Sequence, residues 1–241
     1  MKSWIFCIVS IVTAMLLPFS TVVLAQNGTK YSLQSNATEN EKVWAEGLEH
    51  KAAQGNAQAQ FHLSQALMDG HVFKQSLPDS VKWLRAAAEQ GLPEAEANMG
   101  GLYYLGQGLP RDYSQAVLWT QKAADHGNVK GEYNLGLMYA LGQGVKKNEE
   151  QAVRWYLKSA EQGHQVAAYG VGVAYWYGMG VAQDQVKGYM WLLLASHFGW
   201  AQGKQTADKL APQLGTVKAG EARRKEREWL GTHPNVKPVP L

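Results

Sequence analysis

Four tryptophans, Trp83, Trp119, Trp155 and Trp191, stand 36 residues apart with no insertion between them. Gly55, Gly91, Gly127, Gly163 and Gly199 keep the same step, as do Gly70, Gly106, Gly142 and Gly178. Further columns hold Gly108, Gly144 and Gly180, then Tyr103, Tyr139 and Tyr175, then Gly100, Gly136 and Gly172. A fixed period in the range of roughly 20–50 residues means that one supersecondary unit is repeated. Such a unit cannot bury its apolar side alone and stacks on its neighbours.

Each unit reads as two helices. In the second unit the first helix is expected from about Pro93 to Leu105, where Ala95, Met99, Leu102 and Tyr103 recur at i, i+4, i+7 and i+8. The loop Gly106-Gln107-Gly108-Leu109-Pro110-Arg111 ends it, because glycine supplies the left-handed conformation of a helix C-terminus. Asp112 with Gln115 forms a box-like cap for the next helix, Asn148 with Gln151 repeats the device, and Ser76 with Asp79 does similar work. A glycine in mid-helix costs about 1 kcal/mol relative to alanine. Gly100, Gly136 and Gly172 therefore predict close approach by a second helix, with Ala116, Ala152 and Gly188 as the small counterparts.

The ends break the ruler. Residues 41–55 read as a lone N-terminal helix, 56–199 as four repeats, and 200–231 as a capping hairpin whose last helix is strongly charged. A polar outer face on a terminal hairpin keeps such an array from polymerising. In the first unit Val72 stands in place of the second loop glycine and Ser64 in place of the mid-helix glycine, which puts that loop's shape in doubt. Residues 1–25 read as a signal peptide: Lys2, an apolar run from Trp4 to Leu17, and Val23-Leu24-Ala25 before a cleavage site. The run is short of the roughly 20 residues of a membrane span; an uncleaved anchor is the alternative. The polar stretch 26–40 reads as a flexible leader, and 232–241, with Pro234, Pro238 and Pro240, as a disordered tail. The expected location is exported, periplasmic or secreted.

Cys7 is the only cysteine, so a cleaved chain has none, and thiolate metal sites, cysteine nucleophiles and disulfides drop out. Cleavage also leaves 22 basic and 20 acidic residues, a net charge of +2, which gives no reason to invoke nucleic acid.

The segment Gly131-Glu132-Tyr133-Asn134-Leu135-Gly136-Leu137-Met138-Tyr139-Ala140-Leu141-Gly142-Gln143-Gly144-Val145, followed by Trp155 and Ser159-Ala160-Glu161-Gln162-Gly163, resembles the Sel1-like repeat, a relative of the tetratricopeptide family. The resemblance covers about residues 40–230. It implies an all-α fold, an α/α superhelical solenoid of Sel1-like hairpins, and a scaffold or adaptor role toward other proteins or peptides. Exported bacterial members include virulence-associated and host-contacting proteins. A cysteine-rich branch is linked to β-lactam binding and hydrolysis, and the missing cysteines weaken that transfer here.

No catalytic constellation stands out. The triplets Gly106-Gln107-Gly108, Gly142-Gln143-Gly144 and Gly178-Met179-Gly180 follow helices where a phosphate loop follows a strand. His126 and His164 sit beside hairpin glycines and read as solvated turn residues. Glu89, Asp125 and Glu161 repeat one position, expected to face solvent. Neither Ser-x-x-Lys nor Gly-x-Ser-x-Gly occurs. No cofactor or metal is expected.

One feature exceeds bare packing: a second apolar face on the first helices. Tyr133, Leu137, Ala140 and Leu141 share columns with Tyr169, Val173, Trp176 and Tyr177, and with Ala97, Gly101, Tyr104 and Leu105. In a superhelix of this kind first helices line the concave side, and aromatic residues there can anchor a peptide. Tyr104, Tyr133, Leu137, Leu141, Tyr169, Val173, Trp176 and Tyr177 are the expected groove residues. The alternative is that this face packs inside the stack. The expected function is therefore non-enzymatic binding of a protein or peptide by a monomer, with no nucleic acid and no membrane span after cleavage. A β-lactamase-like hydrolase and an envelope structural protein are the alternatives.

Overall fold

A computed structural model describes residues 30–239. The signal-peptide reading over 1–25 lies outside the described residues. Eleven helices carry the described chain: α1 (Glu39–Ala53), α2 (Ala57–Asp69), α3 (Leu77–Glu89), α4 (Pro93–Leu105), α5 (Tyr113–Asp125), α6 (Val129–Leu141), α7 (Glu149–Glu161), α8 (Gln165–Tyr177), α9 (Gln185–His197), α10 (Ala201–Leu214) and α11 (Thr216–Thr232). The chain divides into two compact units, one ending at Ser80 and the other beginning at Val81, inside α3.

In the first unit α1 packs on α2. Ala45, Leu48 and Ala52 of α1 and Ala59, Leu63 and Leu67 of α2 are buried. Thr38 and Glu41 close a reciprocal capping box at the start of α1. Hydrogen bonds from the Thr38 backbone and hydroxyl hold the Glu41 carboxyl below its ordinary range.

The leader departs from expectation. Its residues from Lys30 onward are engaged: Leu33 pairs with Phe73 in an isolated antiparallel bridge, flanked by Gln34 N–H to Val72 O at 2.8 Å and Lys74 N–H to Ser32 O at 2.7 Å. Tyr31 is buried, its ring edge-on to Phe73 at 6.3 Å. The physical reason lies in the first loop. Val72, in the second glycine's place, stays out of the left-handed region that Gly108, Gly144 and Gly180 adopt, and its carbonyl takes the Gln34 N–H.

In the second unit each helix from α5 to α10 packs on the one before it, and α11 returns onto α9. The loops are built alike. Gly106, Gly142 and Gly178 are left-handed C-caps whose N–H groups bond Leu102, Met138 and Ala174. The second loop glycine has a packing reason: a Cβ on Gly144 would stand 2.2 Å from the Tyr113 carbonyl oxygen at the start of the preceding second helix. Asp112, Asn148 and Asp184 cap the second helices through side-chain oxygens. Their boxes are one-sided, because Asp112, Asn148 and Asp184 N–H groups go to Tyr103, Tyr139 and Tyr175 carbonyls. At Ser76 the hydroxyl donates to Asp79 Oδ2 at 2.6 Å.

The mid-helix glycines sit at helix contacts, as their spacing predicts. A Cβ on Gly136 would lie 3.0 Å from Ala152 O, and one on Gly188 would lie 2.7 Å from Trp176 N and 2.8 Å from Gly172 O. Of the four evenly spaced tryptophans, Trp119 and Trp191 are buried with indole N–H groups that find no acceptor, so they serve as volume, while Trp83 and Trp155 are half-buried.

The tail also departs from expectation. Residues 234–239 lie along the second unit, with Val239 N–H donating to Gly163 O at 3.2 Å and Val236 packed on the core. Pro234 cannot continue α11 and turns the chain, with Val236 N–H donating to His233 O at 3.1 Å, and half-burying Val236 and Val239 holds the segment in place.

Candidate functional site

The C-terminal turns of α4, α6 and α8 present one apolar residue each, 36 apart: Leu105, Leu141 and Tyr177, which are 66%, 55% and 62% exposed. Each is the last residue before a left-handed glycine. Helix geometry and the fixed loop therefore set its direction. Between α4 and α6 lies a hollow of about 180 Å³, walled by Gly100, Gly101, Tyr104, Leu105, Leu137 and Met138, with Thr120 and Asn134 as its polar members. Gly101 makes the hollow: a Cβ there would meet nothing within 4 Å, whereas the same column carries Leu137 and Val173 in the next two units. Tyr104 forms one wall, held by its hydroxyl donating to Gln143 Oε1 at 2.6 Å and by edge contact with Tyr113 at 5.4 Å.

The eight expected groove residues separate. Leu141 and Tyr177 are exposed, and Tyr104 and Leu137 line the hollow. Tyr133, Tyr169 and Val173 are half-buried against the core, with Tyr133 stacked on His164 at 4.5 Å and Tyr169 Oη 3.4 Å from Thr206 Oγ1. Trp176 is a correction. It is 2% exposed and lies in the core with Tyr189 and Trp191, because Gly188 brings α9 onto its backbone. Leu105 joins the face in its place, signalled by the same column as Leu141.

Of the two hairpin histidines, His126 is exposed, as expected, and His164 is a correction. His126, at the end of α5, pairs with the buried Glu96 carboxylate at 2.7 Å. One unit later Glu132 is likewise buried and accepts from Gln162 Nε2 at 2.8 Å. Burial pushes the Glu132 carboxyl up, against the Gln162 hydrogen bond. Gln60, buried in the same column, donates to Ala52 O. Spacing gives no signal for these burials: the column is polar at Gln60, Glu96 and Glu132 alike. Glu89, Asp125 and Glu161 are exposed.

His164 is 3% exposed and caps α8, its Nδ1 accepting from Ala167 N–H at 3.2 Å. Asn56 and Asn128 do this work in the equivalent places. Burial, with Lys130 adding repulsion, pushes His164 down to about 4 from 6.5. The folded chain keeps the ring neutral while the unfolded chain protonates it below 6.5, so stability is full above that value and falls as pH drops toward 4. The expected loss is about 2–3 kcal/mol. His164→Asn retains the cap and removes this loss. Urea midpoints of both chains at neutral pH and near pH 4.5 check it as a difference, in which the opposite contribution of Glu132 cancels.

Among the described residues no group of three His, Cys, Asp or Glu is placed to hold a metal, and no helix is long and apolar enough to cross a membrane. The family model for the Sel1 repeat matches residues 57–92, 93–128, 129–164 and 165–197. Among solved structures, a protective antigen present in uropathogenic Escherichia coli strains, displaying an SLR fold, is 34% identical with a TM-score of 0.69 over 76% of this chain. This chain spans only 40% of that antigen's length. A Sel1 repeat protein from Oxalobacter formigenes is 34% identical with a TM-score of 0.65, over 74% of this chain and 76% of its own. No curated protein matches. With four matched windows in step with the helical hairpins, the chain belongs to the Sel1 repeat family and has its all-α solenoid fold.

Proposed function

We propose that this chain is an exported, non-enzymatic scaffold that binds a protein or peptide on the first-helix face of α4, α6 and α8. The observation that carries the reading is the hollow at Gly101 beside Leu105, in line with Leu141 and Tyr177. Three large apolar side chains in one column, each more than half exposed, fit a surface that a partner covers. A hollow of about 180 Å³ has the size for one bulky apolar side chain, the kind of anchor that dominates binding energy. Export rests on the apolar run and small-residue ending of residues 1–25. Likeness to a protective antigen of a pathogenic bacterium supports a role at the cell envelope or toward a host.

Gly101→Leu tests the reading. The new side chain meets no atom within 4 Å of its Cβ and fills the hollow. Leucine in mid-helix is about 0.5–1 kcal/mol better than glycine. The melting temperature is expected to hold or rise. A partner captured by the native chain from its own organism is expected to bind the variant at least tenfold more weakly. Undiminished binding by Gly101→Leu and by Tyr177→Asp contradicts the site, and turnover of a chromogenic cephalosporin by the purified chain contradicts the non-enzymatic reading.

A further inference from the structure

The corner between α7 and α8 carries a segment that its counterpart one unit earlier lacks. Gly163 is buried, whereas Gly127, at the same place one unit earlier, is exposed with nothing within 4 Å of a Cβ. Both glycines have positive φ, +91° and +75°. The cover at Gly163 is the chain's own tail. A Cβ on Gly163 would stand 2.2 Å from Lys237 O, and Val239 N–H donates to Gly163 O.

The tail's chemistry follows from its spacing. Val236 and Val239 are half-buried, while Lys237 and Pro238 between them are exposed. A polyproline II strand has three residues per turn, so positions i and i+3 fall on one edge. Pro238 favours that conformation and lowers the entropy lost on docking, after a turn at Pro234 closed by Val236 N–H donating to His233 O. Val236 enters the apolar margin of the core, and the corner carbonyl takes the Val239 N–H.

We propose that the Gly163 corner is a docking site for an extended Val-x-Pro-Val segment, that the tail fills it in cis, and that a partner segment of the same pattern takes the corner by displacing the tail. This site is separate from the face around Gly101 and stands or falls independently of it. A tethered tail competes at high effective concentration, so the native chain binds such a segment weakly and a chain with a released tail binds it well.

The probe is a labelled heptapeptide with the sequence of residues 233–239, His-Pro-Asn-Val-Lys-Pro-Val, followed by fluorescence anisotropy. Val236→Asp, which expels the tail, is expected to bind it at least tenfold more tightly than the native chain. Adding Gly163→Ala to that variant is expected to abolish binding. Adding Gly127→Ala, with a like positive φ and open space around it, is expected to leave binding intact. In the native chain, hydrogen exchange at the Val239 amide is expected to accelerate as the peptide saturates the corner. Equal binding by the native chain and Val236→Asp, identical behaviour of the two glycine variants, or unchanged Val239 exchange at saturation would each overturn the proposal.

Discussion

Gly188→Val is expected to destabilise the chain by about 3 kcal/mol or more, at the upper end of overpacking effects. The clash is with backbone: the added Cβ falls 2.7 Å from Trp176 N and 2.8 Å from Gly172 O, and neither atom can rotate away. To relieve it, α8 and α9 must separate. The loss then spreads to Val171, Trp176, Tyr189 and Leu192, all buried in that contact region. Gly101→Val is the matched control, at mid-helix with nothing within 4 Å of its Cβ, and is expected to be neutral or stabilising. Urea denaturation of both variants against the native chain checks the contrast. Equal effects of the two substitutions would mean that the close contact at Gly188 adds nothing beyond helix propensity.

Trp176→Ala is expected to cost about 3–5 kcal/mol, the range for removing a large buried aromatic side chain. The indole is 2% exposed and sits in the core with Tyr189 and Trp191. Tyr177→Ala, one position along the same helix and 62% exposed, is expected to change stability by less than about 0.5 kcal/mol. The pair separates a packing residue from a surface residue. Thermal melts with a partner-binding measurement on Tyr177→Ala check it. A small loss at Trp176 would place the indole at the surface.

That pair also marks where the sequence stopped being legible. The 36-residue columns contained the hairpins, the left-handed loop glycines and the close contacts of Gly136 and Gly188, because each is a local demand repeated in register. Which of two apolar faces on a first helix lies outermost is a different question. Trp176 and Tyr177 are neighbours about 100° apart around the helix, and both are aromatic. Only the approach of α9 at Gly188 decides that one is covered. Likewise nothing local marks Glu96 and Glu132 for burial; His126 and Gln162, just past the ends of α5 and α7, reach them.

The two ends were misread for a related reason. Residues 31–34, Tyr-Ser-Leu-Gln, are aperiodic, and nothing in their own pattern orders them; Phe73 and the Val72 carbonyl do. Residues 234–239 are proline-rich, and Gly163 orders them. Both depend on a partner segment more than 30 residues away in the chain, at a place where the repeat itself is altered or ends.

The central claim is that the second helices and the small-residue contacts build the stack, leaving the outer turns of the first helices free to bind. Hydrogen-exchange footprinting of the chain with and without its captured partner tests this directly. The account predicts new protection over 101–105, 137–141 and 173–177, with α5, α7 and α9 unchanged. Protection confined to α5, α7 and α9, with those three turns exchanging as in the free chain, would contradict it.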